Sequence, residues 1–182
     1  SRTYTSSGYS LSSLASTPWY RTIISDASSG CTSYTTSASE ITVQPSLGGN
    51  VVSAAQTICT GATPSALAQS SAATGGGGSY TYQWQLSTTN STSGFSDIGG
   101  ATSSGYSPGA LATTTWYQRV VSTSACSGSF SHTSTPIEVT AQPNLSGNVI
   151  GPANQTYCTG TSPDPLAETT PTSGGNGTYT YV

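Results

Sequence analysis

From Tyr80 to Leu86 apolar and polar residues alternate without a break: Tyr80, Tyr82, Trp84 and Leu86 are separated by Thr81, Gln83 and Gln85. A period of two places the aromatic set on one face of a β-strand and the polar set on the side that faces water. Thr114 to Val121 is rich in β-branched and aromatic residues and predicts a second strand. Ile137-Glu138-Val139-Thr140 predicts a closing strand, and Val51 to Ile58 predicts the first strands. Gly75 to Gly78, Gly99-Gly100 and Pro108-Gly109 punctuate these runs as turns. No window of eleven residues carries a helical stripe. About seven short strands in such a stretch predict an all-β chain built as a β-sandwich.

The pattern repeats. SGYSLSSLASTPWY at 7–20 matches SGYSPGALATTTWY at 104–117, with Tyr9 and Tyr106 standing 97 residues apart. Asn50-Val51-Val52 matches Asn148-Val149-Ile150 at a spacing of 98, and the segment around Cys59 matches that around Cys158 at 99. Gly78 to Tyr82 matches Gly177 to Tyr181. A period near 98 residues is a whole domain rather than a solenoid unit. The expected organisation is the C-terminal half of one repeat at 1–44, a complete repeat at 45–142, and the N-terminal part of a third at 143–182. The boundaries fall at Gln44-Pro45 and Gln142-Pro143, where a Pro-containing polar link follows an apolar strand. Such a chain reads as a window on a longer array.

Composition narrows the partners. Apolar residues make up 33% of the 182 positions and charged residues 5%, with no lysine and no methionine. Eleven tyrosines and three tryptophans argue for a thin, aromatic core rather than a disordered chain. Three arginines cannot neutralise a run of phosphates, so nucleic acid is not an expected partner. Apolar runs of a few residues and the lack of a basic amphipathic helix give no membrane insertion. No signal peptide stands at Ser1, so an export signal would lie upstream or have been removed.

Each full repeat holds an early and a late cysteine. Cys59 and Cys126 belong to the complete repeat; Cys31 is the counterpart of Cys126, and Cys158 that of Cys59. A Cys59–Cys126 bridge within the repeat is the favoured pairing, worth about 4 kcal/mol in the chain-entropy account. Cys31 and Cys158 then pair outside this stretch or stay unpaired within it. A rival pairing joins Cys31 to Cys59 across the domain boundary. Either implies an oxidising, extracellular location. A zinc site is not expected, since there is no C-x-x-C and His132 is the single histidine.

The order Cys59, Trp84, Trp116-Tyr117, Cys126 resembles an immunoglobulin-like sandwich, with one departure. In antibody domains a tyrosine stands two residues before the second cysteine. Here Tyr117 stands nine before Cys126, which moves the expected bridge toward a loop at one end. The phrases QTICTGATP, GGGGSYTYQWQ, IGGATSSGYSPGAL and TTWYQRVV resemble the Ig-like repeats of very large surface proteins of Bacteroidota. These include gliding-motility adhesins exported by the type IX secretion system. The resemblance covers the whole chain. It implies tandem immunoglobulin-like β-sandwich repeats of about 98 residues, cell-surface display and adhesive fibres, and it carries over no catalytic residue.

No constellation for catalysis emerges, and no cofactor is expected. His132 is absent from the matching Tyr34-Thr35-Thr36 region and reads as a surface strand position. Asp97 and Glu138 are hard to bring together as a hydrolytic pair. Glu40 and Glu138 recur on the closing strand and read as guards of a sheet edge. Six scattered acids make no calcium cluster. Gly75 to Gly78 lacks the Lys-Ser/Thr of a phosphate loop. Without lysine, Lys–Asn isopeptide cross-links cannot form in this stretch. Arg21 and Arg119, each beside a Trp-Tyr pair, are read as counterparts that either stack on rings or sit on a solvated face. Trp84, Trp116 and Tyr117 either fill the core or offer ring faces to a sugar, the core being favoured. Sequons at Asn90, Asn144, Asn154 and Asn176 arise readily by chance in such a composition.

The expected function is therefore a structural and adhesive segment of a long repetitive surface protein or extracellular filament. Its expected partners are neighbouring repeats, other copies in a homo-filament, and surface glycans. The alternatives are a glycan-binding module and a non-catalytic spacer of a secreted enzyme.

Overall fold

A computed structural model describes residues 10–25, 32–124 and 130–182. The chain divides into two compact units, Ser1–Ser46 and Leu47–Val182. The described residues form strands and turns with no helix.

Among its described residues the first unit holds four two-residue strands: β1 (Trp19–Tyr20), β2 (Ile23–Ile24), β3 (Tyr34–Thr35) and β4 (Ser39–Glu40). β1 pairs with β4 and β2 with β3, both antiparallel. Trp19, Ile23, Ile24 and Tyr34 all remain exposed.

In the second unit, β5 (Val51–Val52), β6 (Gln56–Cys59), β7 (Gln69–Ser71), β8 (Thr81–Ser87), β9 (Ser96–Asp97), β10 (Thr115–Thr123), β11 (Phe130–Thr133) and β12 (Ile137–Gln142) come first. β13 (Val149–Gly151) and β14 (Ala167–Thr170) follow. The main sheet runs β6-β12-β10-β8-β9, and β11 pairs with the C-terminal half of β10. β12 covers the N-terminal half of β10, so one side of that strand is shared by two elements. The break between them is bridged at Ser134, whose N–H donates to the Arg119 carbonyl while its Oγ accepts from the Arg119 N–H.

β10 carries the alternation furthest. Thr115, Tyr117, Arg119, Val121 and Thr123 are buried, and the residues between them are half-buried. Against this inner face pack Val52 of β5, which pairs antiparallel with β7, and Leu67, which is bridged to Tyr106. Val52, Leu67, Trp84, Ala101, Tyr117 and Val139 make one core cluster. The chain is all-β, with several sheets, an arrangement consistent with a β-sandwich. Its interior is short of apolar volume, and Asn50, Ser87, Thr115, Arg119, Thr123 and Ser134 are buried alongside.

Pairings recur at the spacing of the sequence matches. Trp19 faces Glu40 as Trp116 faces Glu138. Ile23 faces Thr35 as Val120 faces Thr133. The β5–β7 ladder shifts register between Val51 and Val52, and β13–β14 shifts between Val149 and Ile150. Gln56 clamps Ser65 by two hydrogen bonds, and Gln155 clamps Asp164 in the same way. The Tyr80 hydroxyl donates to the Gly75 carbonyl, as that of Tyr179 does to Gly174. Gly75 to Gly78 all adopt positive φ, which suits glycine and makes the turn into β8.

Candidate functional site

The two longest strands, β8 and β10, pair over seven positions and present two different faces. On the inner face Tyr117 lies opposite Leu86, Arg119 opposite Trp84, and Val121 opposite Tyr82. Trp84 and Tyr117 are fully enclosed, so these two candidates are core residues. The Trp84 indole N–H donates to the Ser103 carbonyl at 3.0 Å, which satisfies its polar end. The Tyr106 ring bridges them, 6.0 Å from Trp84 and 5.9 Å from Tyr117. Burial, with the charge of Tyr106 adding to it, pushes the Tyr117 hydroxyl up to about 12.

Arg119 is buried on the same face. Its guanidinium carbon lies 4.7 Å from the Tyr82 ring centroid and 5.7 Å from that of Trp84. Nε donates to Asn50 Oδ1 at 2.8 Å, and Nη1 donates to the Ser104 carbonyl. No carboxylate is among these partners, and Nη2 has no hydrogen bond. Burial lowers its pKa from the usual arginine value, opposed by the charge of Tyr82. The stacking reading of Arg119 therefore holds, but its pairing with Arg21 does not. Thr22 donates and accepts with Thr36 as Arg119 does with Ser134. Thr22 thus occupies the position of Arg119, and Arg21 that of Gln118. One residue along a strand exchanges the faces, so Arg21 falls on the face of Gln118 and not on that of Arg119.

Sequence reasoning missed Asn50. Its Nδ2 donates to the Arg119 carbonyl at 2.8 Å and to the His132 carbonyl at 3.0 Å. It adopts φ 59°, as does its counterpart Asn148. The available signal was an asparagine standing before the two apolar residues in both matching segments, a residue type suited to left-handed backbone.

The outer face holds Trp116, which is half-buried between Ser87 on β8 and Glu138 on β12. Beside it Gln118 donates to Gln85 Oε1 at 2.7 Å, and Gln85 donates to Asp97 Oδ1 at 2.8 Å. Gln83 donates to the Trp84 and Ile98 carbonyls, so the polar set of β8 makes a hydrogen-bonded layer rather than simply facing water. Glu138 accepts from the Thr140 hydroxyl at 3.1 Å. The edge-guard reading of Glu138 is corrected: β12 lies between β6 and β10 and is not a sheet edge. Its carboxylate belongs to a cross-strand pair with Trp116.

Cys59 ends β6 opposite Gln142, and both Cys59 and Cys158 are exposed and free. Cys31 and Cys126, their expected counterparts in pairing, lie outside the described residues. His132 is half-buried on β11 with no hydrogen bond at Nδ1, and it helps line a cavity of about 210 Å³ together with Asn50, Val52 and Ile137. Among the described residues no three His, Cys, Asp or Glu side chains come together to hold a metal ion. Nor is any helix among them long and apolar enough to cross a membrane.

These features define an all-β domain with an aromatic and arginine interior. Residues 48–143, more than half of the chain, match a family described as Domain of unknown function (DUF8696), and the chain belongs to that family. No curated protein and no solved structure matches it.

Proposed function

We propose that the chain is a structural and adhesive segment of a long, repetitive extracellular protein, built from tandem immunoglobulin-like sandwiches of about 98 residues with boundaries near 44 and 142. The observation that carries this reading is the recurrence of whole pairing patterns at 97 to 99 residues, down to the Trp–Glu pairs and the glutamine clamps. Function in such a segment comes from reach and from many weak contacts acting together. Cell-surface display of the Bacteroidota adhesin type, and association into a filament, belong to the same reading.

The test is to insert one and two further copies of residues 45–142 into the chain and measure its length by small-angle scattering. The maximum dimension should grow by about 30 Å or slightly more per copy, the length of a nine-residue strand and its link. Retention of coated beads under flow should rise with copy number. Growth with the cube root of mass would sink the array, and bead retention independent of copy number would sink adhesion.

A second reading, glycan binding, is favoured by one observation. The Trp116 ring lies partly open beside a carboxylate and two carboxamides, a set able to face the C–H surface and the hydroxyls of a sugar.

A further inference from the structure

Resting on the array reading, we propose that the cysteines join successive repeats and do not close a bridge inside one. The early cysteine of a repeat, the position of Cys59 and Cys158, bonds to the late cysteine, the position of Cys31 and Cys126, of the repeat that follows.

The register of the main sheet carries the argument. Cys59 faces Gln142, at the end where the chain leaves the 47–142 segment. Thr115 faces Val139, and β10 runs from there toward the opposite end. Thr123 ends that strand, and its hydroxyl donates to Gly76 at 3.0 Å. A Cβ at Gly76 would meet both Thr123 and Leu47, so Thr123 lies where the segment begins. Gln142 is three positions past Val139 and Thr123 eight past Thr115, eleven rows in all. At about 3.3 Å per row that is about 36 Å. Cys126 follows Thr123 by three residues, a reach of about 10 Å. A disulfide requires Cα atoms within about 7 Å. The remaining distance of about 25 Å is several times too long.

The next stretch of chain meets the end that holds Cys59. The Thr60 N–H and hydroxyl both donate to the Gln142 carbonyl, at 2.7 and 2.9 Å. Asn144 Nδ2 then donates to the Thr60 carbonyl at 3.4 Å. A Cβ at Gly175 would meet Leu145 as one at Gly76 would meet Leu47. Residues 143–175 thus set beside Cys59 the same end that, in 47–142, carries Thr123. In a following repeat the late cysteine stands three residues beyond that strand. Cys59 is already exposed at the junction.

The chemistry is thiol–disulfide exchange with a small-molecule or protein disulfide. One sulfur–sulfur bond forms between the two cysteines, and the oxidant's own bond breaks. The oxidant takes up two electrons and two protons and leaves as two thiols. Every junction is then fixed by one covalent link besides the polypeptide, and Cys59–Cys126 does not form within one repeat.

The test uses the chain with residues 45–142 duplicated in tandem, oxidised with glutathione disulfide and mapped by non-reducing mass spectrometry. One variant carries Cys126→Ser in the first copy and Cys59→Ser in the second. It retains the pair across the junction and should yield the Cys59–Cys126 linked peptide. The converse variant, with Cys59→Ser in the first copy and Cys126→Ser in the second, should yield none. In the unduplicated chain Cys59 should remain alkylatable after oxidation. A Cys59–Cys126 link in the unduplicated chain, or equal linkage in both duplicated variants, overturns the proposal. So does the absence of any link while both copies resist limited proteolysis, and in that case the array reading stands. If the all-serine duplicated chain shows no protected second copy, the array reading falls and the joint falls with it.

Discussion

Asn50 and Arg119 hold each other by side chain and backbone across 69 positions of sequence: the guanidinium Nε donates to the carboxamide oxygen, and the carboxamide Nδ2 returns a hydrogen bond to the Arg119 carbonyl. A buried cation without a carboxylate partner is costly unless its donors are satisfied. Here two carbonyl-type oxygens accept from Nε and Nη1 and two aromatic rings flank the group, while Nη2 has no hydrogen bond. Asn50→Ala should therefore cost about 3–5 kcal/mol in urea unfolding, because it strands the guanidinium and also forces alanine into left-handed backbone. Asn50→Gly should recover about 1 kcal/mol of that, the backbone share alone. Equal stability of Asn50→Ala and the parent would refute the lock.

Trp84 and Trp116 should separate on substitution. Trp84→Ala removes an enclosed ring and should destabilise by about 3–5 kcal/mol. Trp116→Ala removes a half-buried one and should cost about 1–2 kcal/mol while the fold persists. If the outer face reads sugars, glycan-array signal should disappear with Trp116→Ala and survive Glu40→Gln. Signal unchanged by Trp116→Ala would end the glycan reading.

Alkali should weaken the fold through Tyr117. Its hydroxyl holds its proton to about pH 12 when folded and to about 10 when unfolded. The neutral form is thus favoured by folding, so the stability it contributes is complete below pH 10 and is lost as pH rises from 10 through 12. The loss amounts to up to about 2 kcal/mol. Tyr117→Phe should flatten that part of the stability curve, followed by circular dichroism between pH 9 and 12. An unaltered alkaline limb would show that the hydroxyl does not carry it.

Gly49 and Gly61 both adopt positive φ, at 68° and 84°. A Cβ at Gly49 would collide with the Ala72 carbonyl oxygen, whereas one at Gly61 meets nothing within 4 Å. Gly61→Ala should cost about 1 kcal/mol, the backbone strain alone. Gly49→Ala should cost at least about 2 kcal/mol more, since the backbone just before β5 or just after β7 must move. Thermal melts of the two variants with similar midpoints would contradict this.

Much of the fold was legible because strand alternation is local. Tyr82, Trp84 and Leu86 turn inward as their period requires, and Tyr117 and Val121 do the same on β10. What was not legible is long-range. Nothing near Glu138 in sequence tells that β6 returns to pair beside it in parallel, which makes an interior strand of an expected edge. The match of Thr22 to Arg119 was legible as well, since each stands three residues past its tryptophan, Trp19 or Trp116, with no gap between; a one-residue miscount there exchanges inside for outside. The chemistry of the interior was also hidden. An asparagine beside two valines looks like a turn residue until its carboxamide is found on an arginine 69 residues away.

The parallel pairing of β6 with β12 bears on how the segment would respond to tension. The two strands run the same way, Val139 beside Gln56 and Gln142 beside Cys59. A pull applied at Leu47 and at Gln142 draws β6 back and β12 forward, so their ladder is loaded lengthwise. All the rungs then bear the load together instead of opening one after another, and the strand by which the chain leaves serves as the grip that resists extension.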